Sequence, residues 1–331
     1  MDLDAFAAAR SGRWLRLEEL ARSRRLDGEG ADELIELYQE ASTDLSGIRT
    51  TVGSTPVGDR LSLALSRARL RFTGVPTPPL RALTVFLGGQ LPAALYRIRW
   101  STLAVAVAFI GVAVVYGLWL QSDPRLIAAL GDREFLREYA EQDFIAYYSE
   151  SSEAAFSGQV WTNNAFLCAL CIAFGITGLY PAYLLFVNAQ GLGVSGAVMA
   201  EFDRLPEFFL YLSPHGQLEL YSIFVAGAAG LLLFWAWLAP GGRSRAQALA
   251  EDGRAFLAVA VGLAGSLLVS GIIEGYVTRQ DWPWPVKTGI GSVALAAFLV
   301  YQWGVGRRAW RAGETGDLDD VERGAQRIVA A

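Results

Sequence analysis

The chain is short of the side chains that carry most polar chemistry. One histidine, two cysteines and 18% charged residues are spread over 331 positions, and each shortage removes a class of function. A single histidine cannot supply the paired imidazoles of an H-E-x-x-H zinc site. Cys168 and Cys171 lie one helical turn apart with no second pair, which suits small polarizable packing residues better than structural zinc. Neither a G-x-S-x-G elbow nor a G-x-x-x-x-G-K-S/T phosphate loop occurs. A formal net charge of -5 and a pI near 5.1 leave no basic surface for nucleic acid. No catalytic set, no cofactor, no metal site and no nucleic-acid partner is therefore expected, and enzymes are the least favoured class.

What is abundant is hydrocarbon. Apolar residues make up 53% of the chain and mean hydropathy is +0.31, a membrane-protein composition. Crossing a hydrocarbon core about 30 Å thick takes roughly 20 apolar residues in helical form. Residues 101–120 carry no charge, and neither do residues 163–187, where Pro181 is expected to kink the helix. Residues 217–239 hold one charge, Glu219, residues 255–277 hold one, Glu274, and residues 286–306 hold only Lys287. The predicted fold is all-α: a polytopic α-helical membrane bundle over 81–311 with about six crossings, one of them short or discontinuous. An N-terminal cytoplasmic helical domain over 1–80 precedes it and a cytoplasmic tail over 312–331 follows. Because residues 1–80 are polar and charged, the first span is expected to act as an internal signal-anchor.

Within residues 1–80 apolar side chains recur at helical spacing. Phe6, Trp14, Leu15, Leu17, Leu20 and Ala21 can share one broad face, and Leu34, Leu37, Tyr38 and Leu45 repeat the pattern after the turn-forming "RLDGEG". A third helix, from about 56 to 73, carries arginines on its polar side.

Arginine placement predicts orientation. Arg60, Arg67, Arg69, Arg71, Arg81, Arg97 and Arg99 lie before the first span, whereas loop 121–162 has three arginines among eight acidic residues. The N-terminus, the 240–254 segment and the tail with Arg307, Arg308 and Arg311 are thus expected on the cytoplasmic side. For spans 163–187 and 217–239 both to end inside, the chain must cross back between them. Residues 190–212, interrupted by Glu201, Asp203, Arg204, Pro206 and Glu207, are expected to form that broken crossing, sheltered by the others. A re-entrant loop is the alternative. Asn188, Gln190, Gly191 and Gly193 are expected to turn the chain just before it.

On this map the few polar groups fall at one level, just inside the outer interface: Asn163 and Asn164, Glu219, Glu274, and "PHG", Pro214, His215 and Gly216, which leads into Glu219. His215 and Glu219 are four residues apart and share a face if their helix begins at or before His215; Pro214 suits a first turn. The set reads either as a proton-sensitive or partner-binding site, or as a lock in which His215 and Glu219 hydrogen-bond to Asn163 or Asn164. Gly271 and Gly275 flank Glu274 as a G-x-x-x-G pair, which favours close helix packing.

The segments "WTNNAFLCALCIAFGITG", "LLFVNAQGLGV", "LSPHGQLELYSIFVAGAAG" and "SGIIEGYVT", in that order, resemble the stage II sporulation protein M family of bacterial membrane proteins. The N-terminal arm, with Phe6, Arg10, Trp14 and "ELYQEASTDLSGIR", is similar to the cytoplasmic extension of its longer members. The resemblance implies motif positions at Asn163, Asn164, Asn188, Gly191, Pro214, His215, Gly216, Glu219 and Glu274. It further implies a multi-pass protein of the bacterial cytoplasmic membrane that, in spore formers, anchors cell-wall hydrolases.

The first expected function is an integral membrane scaffold that recruits cell-envelope partners through the cytoplasmic arm and loop 121–162. In that loop "REFLREYAEQDFIAYYSESSEAAF" reads as an interfacial amphipathic helix able to meet a protein or membrane lipid. The second is a transporter or channel built on Glu219, His215 and Glu274. Small residues throughout the spans permit a homo-oligomer without specifying one.

Overall fold

The computed structural model describes residues 3–23, 26–52, 55–73, 79–146 and 152–318. Residues 147–151 of the acidic loop and most of the expected tail lie outside these. The chain divides into two units, Met1–Ala82 and Leu83–Ala331.

The first unit is three mutually packed helices, α1 (Leu3–Arg22), α2 (Gly28–Thr51) and α3 (Pro56–Thr73). Their core is Leu17, Leu20, Leu34, Ala41, Leu45, Ile48, Leu61, Ala64, Leu65 and Ala68, with Phe6, Trp14, Ala21, Leu37 and Tyr38 packed around it. Leu15 departs from the expected face and is 66% exposed, because residues two apart on a helix point to nearly opposite sides. Asp27 caps α2 by accepting from the Gly30 N–H at 2.8 Å. The buried Asp44 carboxylate is matched by the Arg10 guanidinium and by Trp14 Nε1 at 3.0 Å.

The boundary falls within α4 (Pro79–Val85), and the second unit passes through a π-helical turn that leads into α5 (Leu91–Arg97), a short helix whose first five residues are all buried. It continues with α6 (Arg99–Gln121), the short helices α7 (Pro124–Ala128), α8 (Arg133–Glu138) and α9 (Phe144–Ala146), and then α10 (Glu153–Ala173), α11 (Leu179–Glu201), α12 (Leu205–Leu238), α13 (Arg245–Thr278) and α14 (Trp284–Arg311). Five of these, α6 and α11 to α14, are long and apolar enough to cross a bilayer. With no strand among the described residues, the chain is an all-α polytopic membrane protein.

α12 is the most enclosed span, packed against α6, α10, α11, α13 and α14. Its run Val225, Ala226, Ala228 and Ala229 has no exposed surface, since small side chains let neighbouring backbones come close where lipid offers no hydrophobic drive. α6 and α14 are the least enclosed. Val107, Val115, Val293 and Val300 on them are 67–73% exposed, as side chains facing lipid would be.

Helix boundaries differ from the expected spans in the middle of the chain. Residues 163–187 are not one helix: α10 ends at Ala173, Gly175–Thr177 make a 3-10 turn, and Gly178 at φ +65° starts α11. Pro181 therefore lies in the first turn of α11, where no N–H is needed, rather than kinking a span. Residues 190–212 are not a broken crossing either. α11 runs unbroken to Glu201, Phe202–Arg204 turn the chain with Asp203 at φ +58°, and α12 starts at Leu205. The interrupting charges Glu201, Asp203, Arg204 and Glu207 all gather at this elbow, where they meet solvent and one another, as in the Arg204–Glu207 pair at 3.0 Å. Asn188, Gln190, Gly191 and Gly193 lie inside α11 and make no turn. Gly193 instead lets α11 approach α6, where a Cβ would stand 3.2 Å from the Gly117 nitrogen.

In loop 121–162 the stretch expected to form an interfacial amphipathic helix is helical without a break over residues 133–146, through α8, a π-helical turn and α9, while residues 153–156 at its far end already belong to α10. With α7 before it, this segment is seated by Ile127, Leu136 and Ala140 on a cluster with Ala197, Val198, Met199 and Phe208 around the elbow.

Candidate functional site

Three helices build the polar cluster. α12 already extends ten residues before His215, so His215 and Glu219, one turn apart, project from the same side of it. Pro214 sits in the helix interior rather than in a first turn. Its missing N–H frees the Leu210 carbonyl four residues earlier, and Ser213 Oγ donates to that carbonyl at 3.3 Å. α14 closes over this spot because Gly291 has no side chain to strike the Pro214 carbonyl.

α13 supplies Glu274. Its last six residues, Ile273–Thr278, form a π-helical turn, a local widening that often marks functional positions. Ser270, Glu274 and Thr278 follow one another at four-residue steps. Gly275 brings this turn against α10, where a Cβ would stand 2.8 Å from the Glu153 carbonyl oxygen. The G-x-x-x-G pair around Glu274 thus serves close packing, and Gly271 does the same against the Ser157 carbonyl at 3.0 Å.

The imidazole of His215 and the carboxylates of Glu219 and Glu274 each offer an atom within 4.8 Å of the other two. His215 Nε2 is 3.6 Å from Glu274 Oε1. His215 is 3% and Glu274 4% exposed, while Glu219 is partly buried. Ser270 Oγ donates to the His215 carbonyl at 3.0 Å and reaches Glu219 Oε2 at 3.4 Å, and the Asn164 side chain lies beside the Glu219 carboxylate. Thr278 Oγ1 lies 3.4 Å from His215 Nδ1 and donates to the Ile273 carbonyl at 3.4 Å. Glu274 Oε2 and Ser157 Oγ are buried without a hydrogen-bond partner.

Above the cluster an open cavity of about 550 Å³ is lined by Glu153, Tyr211, Thr278, Asp281, Trp284 and Lys287, among others. Lys287 Nζ donates to the Thr278 carbonyl at 3.0 Å and stands 3.9 Å from the centre of the Trp284 ring. Thr278 is thus both cavity wall and partner of the buried histidine.

Of the residues singled out from the sequence, Asn164, Pro214, His215, Gly216, Glu219 and Glu274 come together here. Asn163 does not: it is exposed on α10, beside a second open cavity with Gln159, Thr162 and Phe166. Asn188 bonds back to the Leu184 carbonyl at 2.8 Å within α11, and a Cβ on Gly191 would meet nothing within 4 Å. Ser270, Thr278 and Lys287 are members that sequence reasoning missed. The four-residue steps from Glu274 to Ser270 and Thr278 were the signal available for the first two.

Two family models match the chain. The one described as stage II sporulation protein M covers residues 105–279, from within α6 to just past α13, and so takes in His215, Glu219 and Glu274. The one described as a domain of unknown function (DUF8413) covers residues 4–74, the three-helix unit. No curated protein and no solved structure matches the chain.

Proposed function

Because the chain belongs to the stage II sporulation protein M family, we propose that it is a membrane-embedded anchor, not an enzyme, that recruits partner proteins of the bacterial cell envelope, peptidoglycan-remodelling factors among them. The observation that carries this reading is the segment between α6 and α10. Leu136 and Ala140 fasten it to the elbow of α11 and α12, while Phe135 on the same short helix is 56% exposed. A side chain of that size held outward on a fastened segment is suited to a protein contact. Phe144 is less available, packed 5.8 Å from the Phe208 ring and 6.2 Å from the Tyr211 ring.

The arginines before α6, between α12 and α13, and at the end of α14 support cytoplasmic termini and an outward-facing α7–α9 segment. An even number of crossings needs α10 as the sixth. At 21 residues it is about 32 Å long, enough to span, and its polar Asn164 faces protein. The three-helix unit is then a second, cytoplasmic docking element, and α6 and α14 meet membrane lipid. A photo-crosslinking residue at position 135 in living cells is expected to capture a discrete protein; capture of lipid alone, or of nothing, overturns recruitment through this segment.

A second reading, transport, is favoured by Thr278, which links the open cavity to His215 and the two carboxylates. The discontinuous crossing that would have strengthened it is not there. Proteoliposome flux of protons or cations that Glu219→Gln abolishes is the result that would put transport first.

A further inference from the structure

We propose that His215, Glu219 and Glu274 bind one divalent transition-metal cation inside the membrane unit, through His215 Nε2 and one oxygen of each carboxylate. This goes beyond the anchoring role and does not depend on it.

The donor set is the first ground. One imidazole and two carboxylates are ligands for zinc, iron or manganese. Two ligand atoms each about 2.0–2.1 Å from a tetrahedral zinc lie roughly 3.4 Å apart. His215 Nε2 and Glu274 Oε1 are already 3.6 Å apart, and all three donors lie within 4.8 Å, a gap that carboxylate rotation closes. Three protein ligands leave a further position open, as in zinc sites that exchange a ligand.

Charge is the second. Two carboxylates this close and shielded from water can both be ionised only beside compensating positive charge. No arginine or lysine pairs with Glu219 or Glu274 among the described residues. Lys287 is engaged instead by the Thr278 carbonyl and the Trp284 ring. A divalent cation would balance the pair.

The third is the unused oxygen. The Glu274 side chain is only 5% exposed, yet its Oε2 has no hydrogen-bond partner. Native proteins seldom leave such an atom without a reason, and a ligand for the cluster supplies one.

The surroundings are also those of a metal site. Because the Thr278 hydroxyl donates to the Ile273 carbonyl, it is left to accept from His215 Nδ1–H, which fixes the tautomer whose Nε2 lone pair points to the carboxylates. Ser270 orients Glu219 in the same manner. Thr278 stands between His215 and the open cavity it lines, the side from which a cation would enter.

The test uses the full-length chain in detergent micelles, stripped with chelator and titrated with Zn²⁺. One zinc per chain is expected, with affinity falling about tenfold or more in Glu274→Gln and in Glu219→Gln, and in Thr278→Val through loss of its orienting bond. X-ray absorption of the zinc-loaded wild type should show nitrogen and oxygen ligands including one imidazole, and no sulfur. Because zinc binds such sites more tightly than manganese or iron, a wild type that takes up no stoichiometric Zn²⁺ overturns the proposal. So does zinc retained equally by both glutamine variants, or a sulfur shell assigning the metal to Cys168 and Cys171. If the variants do not stay monodisperse, the wild-type spectrum decides alone. Zinc uptake and crosslinking at position 135 are separate readouts, so either can fail without the other.

Discussion

α13 carries two acidic clusters at opposite ends, and they are built by opposite rules. Near its start, Asp252 is met by Arg97 at 2.7 Å and by Arg243 at 3.4 Å, Arg243 also holds Glu251 at 2.8 Å, and Arg254 clasps Asp317 through two bonds of 2.6 and 2.8 Å. About 33 Å further along the helix, Glu274 faces a histidine and a second glutamate, and no arginine reaches it among the described residues. The first cluster is a finished structure in which each buried acid has a cation. The second leaves an acid partly unanswered inside the protein, which costs stability and is kept where the group has something to meet.

The largest expected effect tests the wall of the second cluster. Gly275→Leu forces a side chain into the Glu153 carbonyl and Ser157 on α10 and should cost about 3 kcal/mol, read as a fall in unfolding temperature of the detergent-solubilised chain. A neutral result would mean that α10 does not pack there. Next comes the finished cluster: Asp252→Ala strands Arg97, takes one of two acids from Arg243, and should cost about 2 kcal/mol by the same measurement. Ser270→Ala, which removes one donor shared by the His215 carbonyl and Glu219, should cost about 1 kcal/mol. If Ser270→Ala were the more damaging of the two, the contrast between the clusters would be reversed.

The smallest effect lies in the three-helix unit, on exposed pairs. The Arg16 guanidinium donates to Glu33 at 2.8 and 2.9 Å and holds its carboxyl below the ordinary carboxylate range. A depressed folded-state value means that this contribution is present above about pH 4.3 and is lost as pH falls through the lowered value. Wild type should therefore be slightly more stable than Glu33→Gln at pH 6, with the gap closing in acid. A gap that widened in acid would show the pair to be absent.

Much of this contrast can be read in the sequence, and the parts that cannot have physical reasons. The uncharged runs announce a membrane protein because hydrocarbon tolerates little else, and His215, Glu219 and Glu274 stand out against them. The helix break at 174–178 is silent because a glycine-based turn inside an apolar run carries no polar mark. The opposite error fell at 190–212: charges there read as interruptions of a span, whereas they crowd into the three-residue elbow between two unbroken helices. α5 is hidden because five buried residues are too few to register as a span. Asn163 and Asn164 look equivalent in sequence, yet one step along a helix turns the side chain by about 100°, so one meets Glu219 and the other faces outward.

The difference between the two ends of α13 is tested most directly by the unfolding temperature of chelator-stripped Glu274→Gln beside the wild type. Removing an unanswered buried carboxyl oxygen should leave that temperature unchanged or raise it. A loss as large as that of Asp252→Ala would show instead that Glu274 holds the bundle together, and that the two clusters do the same work.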